Sequence, residues 1–353
     1  RFDGAGYLET GRDHIFIVSA EGGTPRQLTD GDFDHGGLLA WMPDGKRIVF
    51  PANRRDDAEH HPVESELWAV TVASGELEQM TDRSGPDRGA VISPDGKRIA
   101  YLGFDDRQMA WQSSDVYVMY VETREPRNLT ANFDRDVDDV QWAGSSSRLL
   151  IRYEDRGRTH IGLLAMNGKI ESVARDVGGT SIGRPYNSGS FSVAKNGAFA
   201  YTAGRADRPA DVAVGRGSRT PARLTGLNDD LLGTRTLGTV DENTWTSSAG
   251  GLEIQGWLVY PPDFDPDRQY PFILEIHGGP HTAYGPHFSA EAQLFAAAGY
   301  VVLYANPRGS TSYGEAFSLE IHHDYPGADY DDLMSGVDAV IERGFVDENA
   351  LYV

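Results

Sequence analysis

Residues 43–50 read PDGKRIVF, and residues 94–101 read PDGKRIAY, so two nearly identical segments begin 51 residues apart. Weaker copies are WAGSSSRLLIRY at 142–153 and SVAKNGAFAY at 192–201. Pro presets φ, Asp tolerates the bend and Gly accepts a positive φ, so the repeated phrase predicts a tight turn. A period of about 50 residues indicates a repeat architecture.

A second phrase alternates with the first: a short β-rich run, a turn, then Leu-Thr or Met-Thr. It occurs as HIFIVSAEGGTPRQLT at 14–29, ELWAVTVASGELEQMT at 66–81 and DVYVMYVETREPRNLT at 115–130, with degenerate copies from His160 and Asp211. The closing positions of the five copies are Leu28, Met80, Leu129, Val173 and Leu224. Their spacing keeps the same period throughout the first two thirds of the chain.

Each repeat holds several short runs rich in Val, Ile, Tyr and Phe, bounded by turn residues, as β-strands are. Four short strands in a period of about 50 residues are typical of a β-propeller blade. We therefore predict a β-propeller at residues 1–240, with about five blades or partial blades and an incomplete N-terminal end. The alternative is a β-sandwich with coincidental turns, which the two near-identical segments disfavour.

The pattern changes after residue 240. Buried-type strands are predicted at 272–277 and 300–304, and helices at 289–298 and 329–343, with Asp329 as N-cap and Gly344 just past the second helix. Another apolar strand begins at Leu351. Alternation of strands and helices indicates βαβ units and a mostly parallel sheet, so residues 241–353 are predicted to be the N-terminal part of an α/β domain.

One motif in this second part carries chemistry: His277-Gly278-Gly279-Pro280, directly after a predicted strand. In α/β-hydrolases a Gly-containing loop after an early strand offers backbone N–H groups to the oxyanion of a tetrahedral intermediate. Glycine permits close approach because a Cβ would hold the backbone away from the reacting carbonyl. The alternative is a Gly-Gly-Pro turn without chemistry, which the position at a strand's carboxyl end disfavours.

The HGGP motif, YVVLYANPRGSTSYGEAF from Tyr300 and GADYDDLMSGVDAVIERGFVDENALYV from Gly327 resemble the prolyl oligopeptidase family of serine peptidases. The subgroup that the chain resembles is that of the acylaminoacyl-peptidases and bacterial dipeptidyl peptidases. The resemblance implies a β-propeller followed by an α/β-hydrolase domain, of which only the N-terminal part is in this chain. It also implies that the propeller admits only short or unstructured peptides to the active site.

The resemblance assigns functional roles to only a few residues of this chain. Gly278 and Gly279 are expected to supply oxyanion-hole backbone N–H groups, and His277 stands where relatives place an oxyanion-site side chain, often Tyr. Arg308 matches a family position, as a substrate-binding candidate whose expected role is to hold its loop by hydrogen bonds. The nucleophilic Ser is expected a few residues beyond Val353, followed by Asp and His. The chain, which opens on Arg1 without Met, is therefore expected to be an interior piece.

Other candidate sites are weaker. Residues 179–183 (GTSIG) fit the G-x-S-x-G pattern around Ser181, but they lie between propeller repeats and without the flanking strand and helix. His60-His61 and His322-His323 lack the spacing of a helical metal site, and the acidic run 134–139 does not follow an EF-hand pattern. In dipeptidyl-peptidase relatives propeller acids hold the substrate amine, and nothing selects Asp56, Asp57 or Glu59 for that role.

Composition excludes several classes of function. Lys and Arg total 32 against 53 Asp and Glu, and the net charge of −21 repels phosphate backbones and anionic lipids, so neither nucleic acid nor a membrane is an expected partner. The absence of Cys excludes disulfide scaffolds and thiolate zinc sites. No run of about 18 apolar residues occurs. We expect a soluble protein, cytoplasmic or periplasmic, that needs no cofactor or metal.

These observations predict a serine peptidase that hydrolyses short peptides, of acylaminoacyl-peptidase, dipeptidyl-peptidase or oligopeptidase type. Its expected partners are peptide substrates and the remainder of its own catalytic domain, and homo-oligomerisation stays open. One alternative is a related esterase or isopeptidase, such as the lasso-peptide isopeptidases of similar architecture. Another is a non-catalytic binding propeller of the periplasmic TolB type, which the HGGP-containing α/β segment disfavours.

Overall fold

A computed structural model describes residues 11–353 of the chain. The described residues form two compact units, one of residues 11–107 with 115–130, the other of residues 108–114 with 131–353. Among the described residues, no helix combines the length and the apolar character needed to cross a bilayer.

From residue 11 on, the first unit contains antiparallel sheets, one of two strands and two of four strands paired in chain order. The strands are Phe16–Ile17 (β1), Arg26–Gln27 (β2), Ala40–Trp41 (β3), Arg47–Ala52 (β4), Glu66–Thr71 (β5), Leu77–Gln79 (β6), Asp87–Ile92 (β7), Arg98–Gly103 (β8), Asp115–Tyr120 (β9) and Pro126–Asn128 (β10). A 3₁₀ turn at Ala58–His60 lies between β4 and β5. The sheets β3–β6 and β7–β10 each have the four antiparallel strands of a propeller blade.

The repeated PDGK phrase joins the first and second strands of each blade. Gly45 and Gly96 adopt φ values of +69° and +71°, and Gly144 and Gly197 in the weaker copies adopt +72° and +78°. Positive φ is the conformation that glycine adopts without strain. The predicted turn chemistry is therefore confirmed in the two PDGK copies. In the weaker copies the positive-φ glycine stands at a different distance from the next strand, four residues before it for Gly144 and one for Gly197.

The second unit begins with an eight-stranded antiparallel sheet in which two four-stranded sets meet through one residue pair, Val177 with Ala203. Its strands are Val137–Trp142 (β11), Arg148–Asp155 (β12), Arg158–Ala165 (β13), Ile170–Val177 (β14), Phe191–Val193 (β15), Ala198–Arg205 (β16), Arg208–Arg216 (β17) and Arg219–Arg223 (β18). A short helix, Asp229–Leu232 (α1), follows β18. These strands correspond to the degenerate repeats.

A mixed five-stranded sheet follows, in the order β19-β20-β22-β21-β23. Its strands are Val240–Thr246 (β19), Glu253–Val259 (β20), Tyr270–Glu275 (β21), Val301–Asn306 (β22) and Val346–Tyr352 (β23). Only β22 and β23 pair with β21 in parallel. The other two pairings are antiparallel, because β19 and β20 form a hairpin and β20 runs opposite to β22. The described part of the sheet is thus less parallel than predicted.

Three helices belong to this sheet: Ala290–Ala297 (α2), Glu315–Leu319 (α3) and Asp329–Ile341 (α4). The N-cap of α2 is Ser289, whose Oγ accepts a hydrogen bond from Ala292 N. The N-cap of α4 is Ala328, so Asp329 is the first residue of the helix and not its cap. The short helix α3 was not predicted, because one helical turn carries no usable periodicity.

The core of this domain lies between α4 and one face of the sheet. It includes the buried residues Trp245, Leu258, Phe272, Leu303, Leu333 and Val337. The strand β21 is therefore held inside the sheet, between β22 and β23. The sheet starts at Val240, next to the predicted domain boundary at 240/241, and that boundary stays a prediction.

Candidate active site

The HGGP motif begins two residues after the end of β21. Because β21, β22 and β23 run parallel, their carboxyl ends meet at one edge of the sheet, where α/β proteins place their ligands. Phe272 and Leu274 anchor the strand in the core and so fix the point from which the loop departs.

Gly278 and Gly279 are exposed, and within residues 11–353 neither amide nitrogen donates a hydrogen bond. Gly279 has φ +141°, a conformation that other residues rarely adopt, and a Cβ there would lie 3.0 Å from Thr282 Cγ2. At Gly278 a Cβ would meet open space. The need for glycine is thus strongest at Gly279, and two backbone donors remain available to a ligand.

His277 is buried, and each ring nitrogen faces a polar partner. Nδ1 lies 3.1 Å from Gly278 O, and Nε2 lies 3.1 Å from Ser310 Oγ. Burial lowers the pKa of His277 below its ordinary value, which favours the neutral imidazole. A direct contact between this ring and an oxyanion stays a prediction.

Two tyrosine rings pack beside His277. The ring of Tyr284 meets the imidazole edge-to-face at 5.0 Å, and Tyr186 packs on Tyr284 at 4.7 Å between ring centroids. The Tyr284 hydroxyl donates to Glu275 Oε1 at 3.1 Å, and Arg184 forms an ion pair with the same carboxylate at 3.2 Å. The aromatic rings therefore shield one side of His277 from solvent.

Asn306, fully buried at the end of β22, fixes the segment that follows HGGP. Its Oδ1 accepts from Tyr284 N and its Nδ2 donates to Tyr284 O, both at 2.8 Å. Nδ2 also donates to the hydroxyl of Tyr313, which itself donates to Gln255 Oε1 at 2.6 Å. These bonds attach the loop of β21 to the end of β22.

Arg308 is buried and binds Asp332, which is wholly buried in α4. Its Nε and one terminal nitrogen donate to the two carboxylate oxygens at 2.9 and 2.8 Å, and its amide donates to Asp332 Oδ2 at 2.8 Å. The side-chain bonds to Asp332 raise the pKa of Arg308. A further bond reaches Ala249 O at 2.6 Å. These contacts attach the loop after β22 to α4, and a contact between Arg308 and substrate stays a prediction.

Glu154, at the end of β12, faces the same loop from the propeller part of this unit. Thr311 Oγ1 donates to its Oε2 at 3.0 Å. Burial raises the pKa of Glu154 to about 7. This carboxyl group therefore takes up or releases a proton near neutral pH.

The other candidates lie elsewhere. Ser181 donates to Arg184 O at 3.1 Å in a loop between β14 and β15, without the strand–turn–helix geometry of a nucleophile elbow. Asp57 pairs with Arg55 at 2.8 Å and faces solvent. Within the described residues, neither the histidine pairs nor the acidic run forms a group that could hold a metal ion.

Sequence reasoning missed Tyr186, Glu154, Asn306 and the contact of Ser310 with His277. Asn306 and Ser310 belong to the NPRGS phrase, so the sequence indicates that they lie near the site. It does not indicate which residues they form hydrogen bonds with. Tyr186 and Glu154 come from propeller segments about 90 and 120 residues before HGGP, and no local pattern distinguishes them.

Comparisons with known proteins agree with these observations. Residues 286–353 match the prolyl oligopeptidase family, and residues 1–125 match the N-terminal β-propeller domain of acylaminoacyl-peptidase. The chain is similar to the uncharacterized peptidase YuxL of Bacillus subtilis, with 30% identity over 93% of this chain and 63% of the relative. It is also similar to dipeptidyl-peptidase 5 of Porphyromonas gingivalis, with 24% identity over 88% of this chain and 45% of the relative.

A solved structure with a similar fold is the acylaminoacyl peptidase of Pyrococcus horikoshii, with a TM-score of 0.67 and 18% identity over 96% of this chain and 61% of that chain. At that identity the likeness bears on the fold alone. It confirms the predicted fold class, a β-propeller followed by the start of an α/β-hydrolase domain. The chain thus spans between about half and two thirds of the length of the proteins that it matches.

Proposed function

Because the chain belongs to the prolyl oligopeptidase family of serine peptidases, we propose that it forms part of a peptidase that hydrolyses short peptides. The relative named dipeptidyl-peptidase 5, and the match of residues 1–125 to the propeller domain of acylaminoacyl-peptidase, support cleavage near the N-terminus of the substrate. Peptides shorter than a folded domain are the proposed substrate class, since a propeller precedes the catalytic domain.

The unpaired amides of Gly278 and Gly279 carry this proposal. In acyl transfer, attack on the scissile carbonyl places negative charge on its oxygen, and preorganised N–H groups that have no other partner stabilise that charge. The two amides are exposed at the carboxyl end of β21, and within the described residues they have no acceptor. We assign them to the oxyanion hole.

The nucleophile is proposed to lie beyond residue 353. Tyr352 of β23 pairs with Ile273 of β21 in parallel register, so residues after Val353 would leave the sheet beside HGGP. A Ser in a G-x-S-x-G elbow at that place would attack the substrate carbonyl, while a His would accept its proton and an Asp would orient the His. Acyl-enzyme formation and hydrolysis would follow.

A fluorophosphonate probe tests this proposal, because it reacts with activated serine nucleophiles. The intact protein is expected to become labelled stoichiometrically at a Ser beyond residue 353, and the 353-residue chain alone is expected to remain unlabelled. Stoichiometric labelling at Ser181 would overturn the assignment, as would an intact protein without labelling.

A substrate panel tests the bond type. We expect turnover of aminoacyl or dipeptidyl nitroanilides with free or acylated N-termini. Turnover of esters alone would show that the protein is an esterase and not a peptidase.

A further inference from the structure

Trp111, in the loop between β8 and β9, lies beside the candidate active site. Its indole ring stacks on the imidazole of His281, with the ring centroids 5.4 Å apart and the ring planes inclined by 29°. His281 directly follows the HGGP motif, and consecutive Cα atoms are about 3.8 Å apart, so its Cα lies within about 8 Å of that of Gly279. The indole is therefore one side chain away from the loop that carries the proposed oxyanion donors.

Backbone hydrogen bonds hold this segment on both sides of Trp111. The amide of Ala110 donates to His322 Nδ1 at 3.3 Å, and the amide of Ser113 donates to Glu315 Oε2 at 3.2 Å. Glu315 begins α3, and His322 follows this helix, so both acceptors belong to the stretch of chain after β22. The segment that carries Trp111 belongs to the second compact unit. Because its backbone is held before a ligand arrives, binding at the indole costs less conformational entropy.

His281, which supports the indole, is itself held in place. Its Nδ1 lies 3.0 Å from Gly309 O, in the loop after β22. Burial lowers the pKa of His281 below its ordinary value, which favours the neutral imidazole. The indole therefore rests on a planar and uncharged ring whose orientation is fixed by a hydrogen bond.

Among the described residues, the indole of Trp111 has one aromatic partner and no hydrogen-bond partner. His281 is the only aromatic side chain that packs on it, and the indole nitrogen donates to none of these residues. The side chain is also partly exposed. Tyr186, on the His277 side of the HGGP loop, differs because its ring packs on Tyr284 as well. Trp111 therefore keeps an N–H donor and, opposite His281, a ring face on which no other aromatic ring of the described residues lies.

We propose that Trp111, stacked on His281, forms the wall of a substrate subsite beside the oxyanion hole, and that this subsite takes an aromatic side chain. The inference rests on the proposed function and names a substrate class for it, short peptides with Phe, Tyr or Trp close to the scissile bond. Aromatic rings attract each other in offset-stacked or edge-to-face arrangements, and this attraction adds to the effect of burying their apolar area.

A cationic side chain is the competing occupant, because Lys or Arg also binds over the face of an indole. Such a cation is best held when a carboxylate lies next to the ring. Among the described residues, neither Trp111 nor His281 forms an ion pair or a side-chain hydrogen bond with Asp or Glu. This surrounding favours an uncharged aromatic occupant.

Cleavage of short peptides by the intact protein tests the proposal, with the products identified by mass spectrometry. The parent substrate is an alanine tetrapeptide with the N-terminus, free or acetylated, that the protein accepts. In two derived sets, Phe or Lys replaces one of the two residues before the scissile bond or the residue after it. We expect the kcat/KM of one Phe peptide to exceed that of the parent by at least about tenfold, as an added aromatic stack predicts.

Three variants assign this preference to Trp111. Trp111→Ala removes the ring, and we expect the preference for Phe to fall to about threefold or less while kcat/KM for the parent peptide stays within about threefold. Trp111→Phe keeps a planar ring and is expected to keep at least about half of the preference. Trp41→Ala removes an exposed Trp of the first unit and is the matched control, expected to leave both values unchanged. Cleavage of the parent peptide shows that each variant is folded.

The outcomes separate this inference from the proposed function. An intact protein that neither cleaves the peptides nor reacts with a fluorophosphonate would remove both. An active protein would refute the inference alone if it preferred no Phe peptide, or if the preference survived in Trp111→Ala. Equal losses on the parent and the Phe peptide in Trp111→Ala would show that Trp111 has a structural role. A Trp111-dependent preference for Lys would identify a subsite for cations and contradict the aromatic assignment.

Discussion

Arg308 and Asp332 illustrate how one buried ion pair fixes a loop of the site. Loss of Arg308 would leave the carboxylate of Asp332 buried without its partner. That would lower the free energy of unfolding by about 3–5 kcal/mol. The bidentate geometry matches the planar guanidinium to both oxygens. The pair fixes the loop after β22, which also carries Ser310, and so stabilises the surroundings of His277.

Replacement of Gly279 by Ala is expected to impair catalysis more than stability. The φ of +141° and the contact with Thr282 require the backbone to shift, at a cost of at least about 1–2 kcal/mol in the free energy of unfolding. The same shift moves the Gly279 N–H, and we expect kcat to fall about 10²-fold. Steady-state kinetics and urea unfolding of the intact protein measure the two effects.

Gly250→Ala is the matched control for that variant. Gly250 has φ +75° and open space around its Cβ position, so it carries a similar backbone cost at the turn between β19 and β20. We expect a comparable loss of stability with unchanged kcat. Equal kcat values for the two variants would remove Gly279 from the oxyanion hole.

Glu154 is expected to make stability depend on pH. Its pKa rises from 4.5 to about 7 on folding, so between these values the folded state holds a proton that the unfolded state has released. The free energy of unfolding therefore falls as pH rises from about 4.5 to 7, by on the order of 1–3 kcal/mol. Glu154→Gln removes this dependence, and the variant should exceed the wild type in stability above pH 7.

Urea unfolding at several pH values between 4 and 8 measures the difference between variant and wild type. Glu171→Gln, at an exposed position of β14, is the control. A difference for Glu154→Gln that stays constant across this range would show that Glu154 has an ordinary pKa in the folded state.

Among single residues, the sequence identified those candidate site residues that belong to local motifs. Gly278, Gly279 and Arg308 are recognisable because their neighbours in the chain identify them. Tyr186 and Glu154 approach the same loops only through long-range packing between propeller strands and the α/β domain. Their side chains are common in propeller repeats, so no pattern in the sequence separates them from structural residues.

At the scale of elements, the Thr of the Leu-Thr phrase has the same structural role in four of the five repeats. The Thr Oγ1 accepts a hydrogen bond at 2.9 Å from the backbone N–H of a residue 13 or 14 positions earlier. The donors are Ile15 for Thr29, Leu67 for Thr81, Val116 for Thr130 and Val212 for Thr225. Because a β-strand N–H buried without an acceptor is costly, the hydroxyl explains why Thr recurs at this position.

Thr130→Val removes this acceptor while it keeps the shape of the side chain. We expect the free energy of unfolding of the first unit to fall by about 1–3 kcal/mol, because Val116 N loses its acceptor and Asp115 Oδ1 loses the hydroxyl that donates to it at 2.6 Å. Thr130→Ser keeps the hydroxyl and should lose less than half as much. Urea unfolding followed by tryptophan fluorescence measures both, and equal losses would show that the hydroxyl has no stabilising role.

Strands and helices were predictable where the hydrophobic period and the flanking turn or capping residues indicate the same element. The helices α2 and α4 satisfy this condition, and their bounds were predicted to within two residues. The last strand was placed wrongly, because β23 begins at Val346 and not at Leu351. The antiparallel position of β20 was not predictable, because the direction of a strand in a sheet is set by the path of the chain and not by its hydrophobic pattern. The single-turn helix α3 is too short to give a pattern.

At the scale of the whole molecule, the two parts of the chain have different tasks. The propeller sheets repeat one structural plan and supply loops such as that of Tyr186, while the α/β domain supplies the HGGP loop at the carboxyl end of β21. The matches of residues 1–125 to a propeller domain and of residues 286–353 to the prolyl oligopeptidase family agree with this division, as does the fold. A peptide substrate would meet its oxyanion donors in the α/β domain.

The most direct test of this assignment is a structure of the intact protein bound to a peptide boronic acid or fluorophosphonate. We predict that the adduct on the nucleophilic Ser places its oxyanion oxygen about 2.7–3.1 Å from the amide nitrogen of Gly279, with His277 still bound to Gly278 O. An adduct whose oxyanion lies away from both the Gly278 and Gly279 amides would contradict the assigned oxyanion hole.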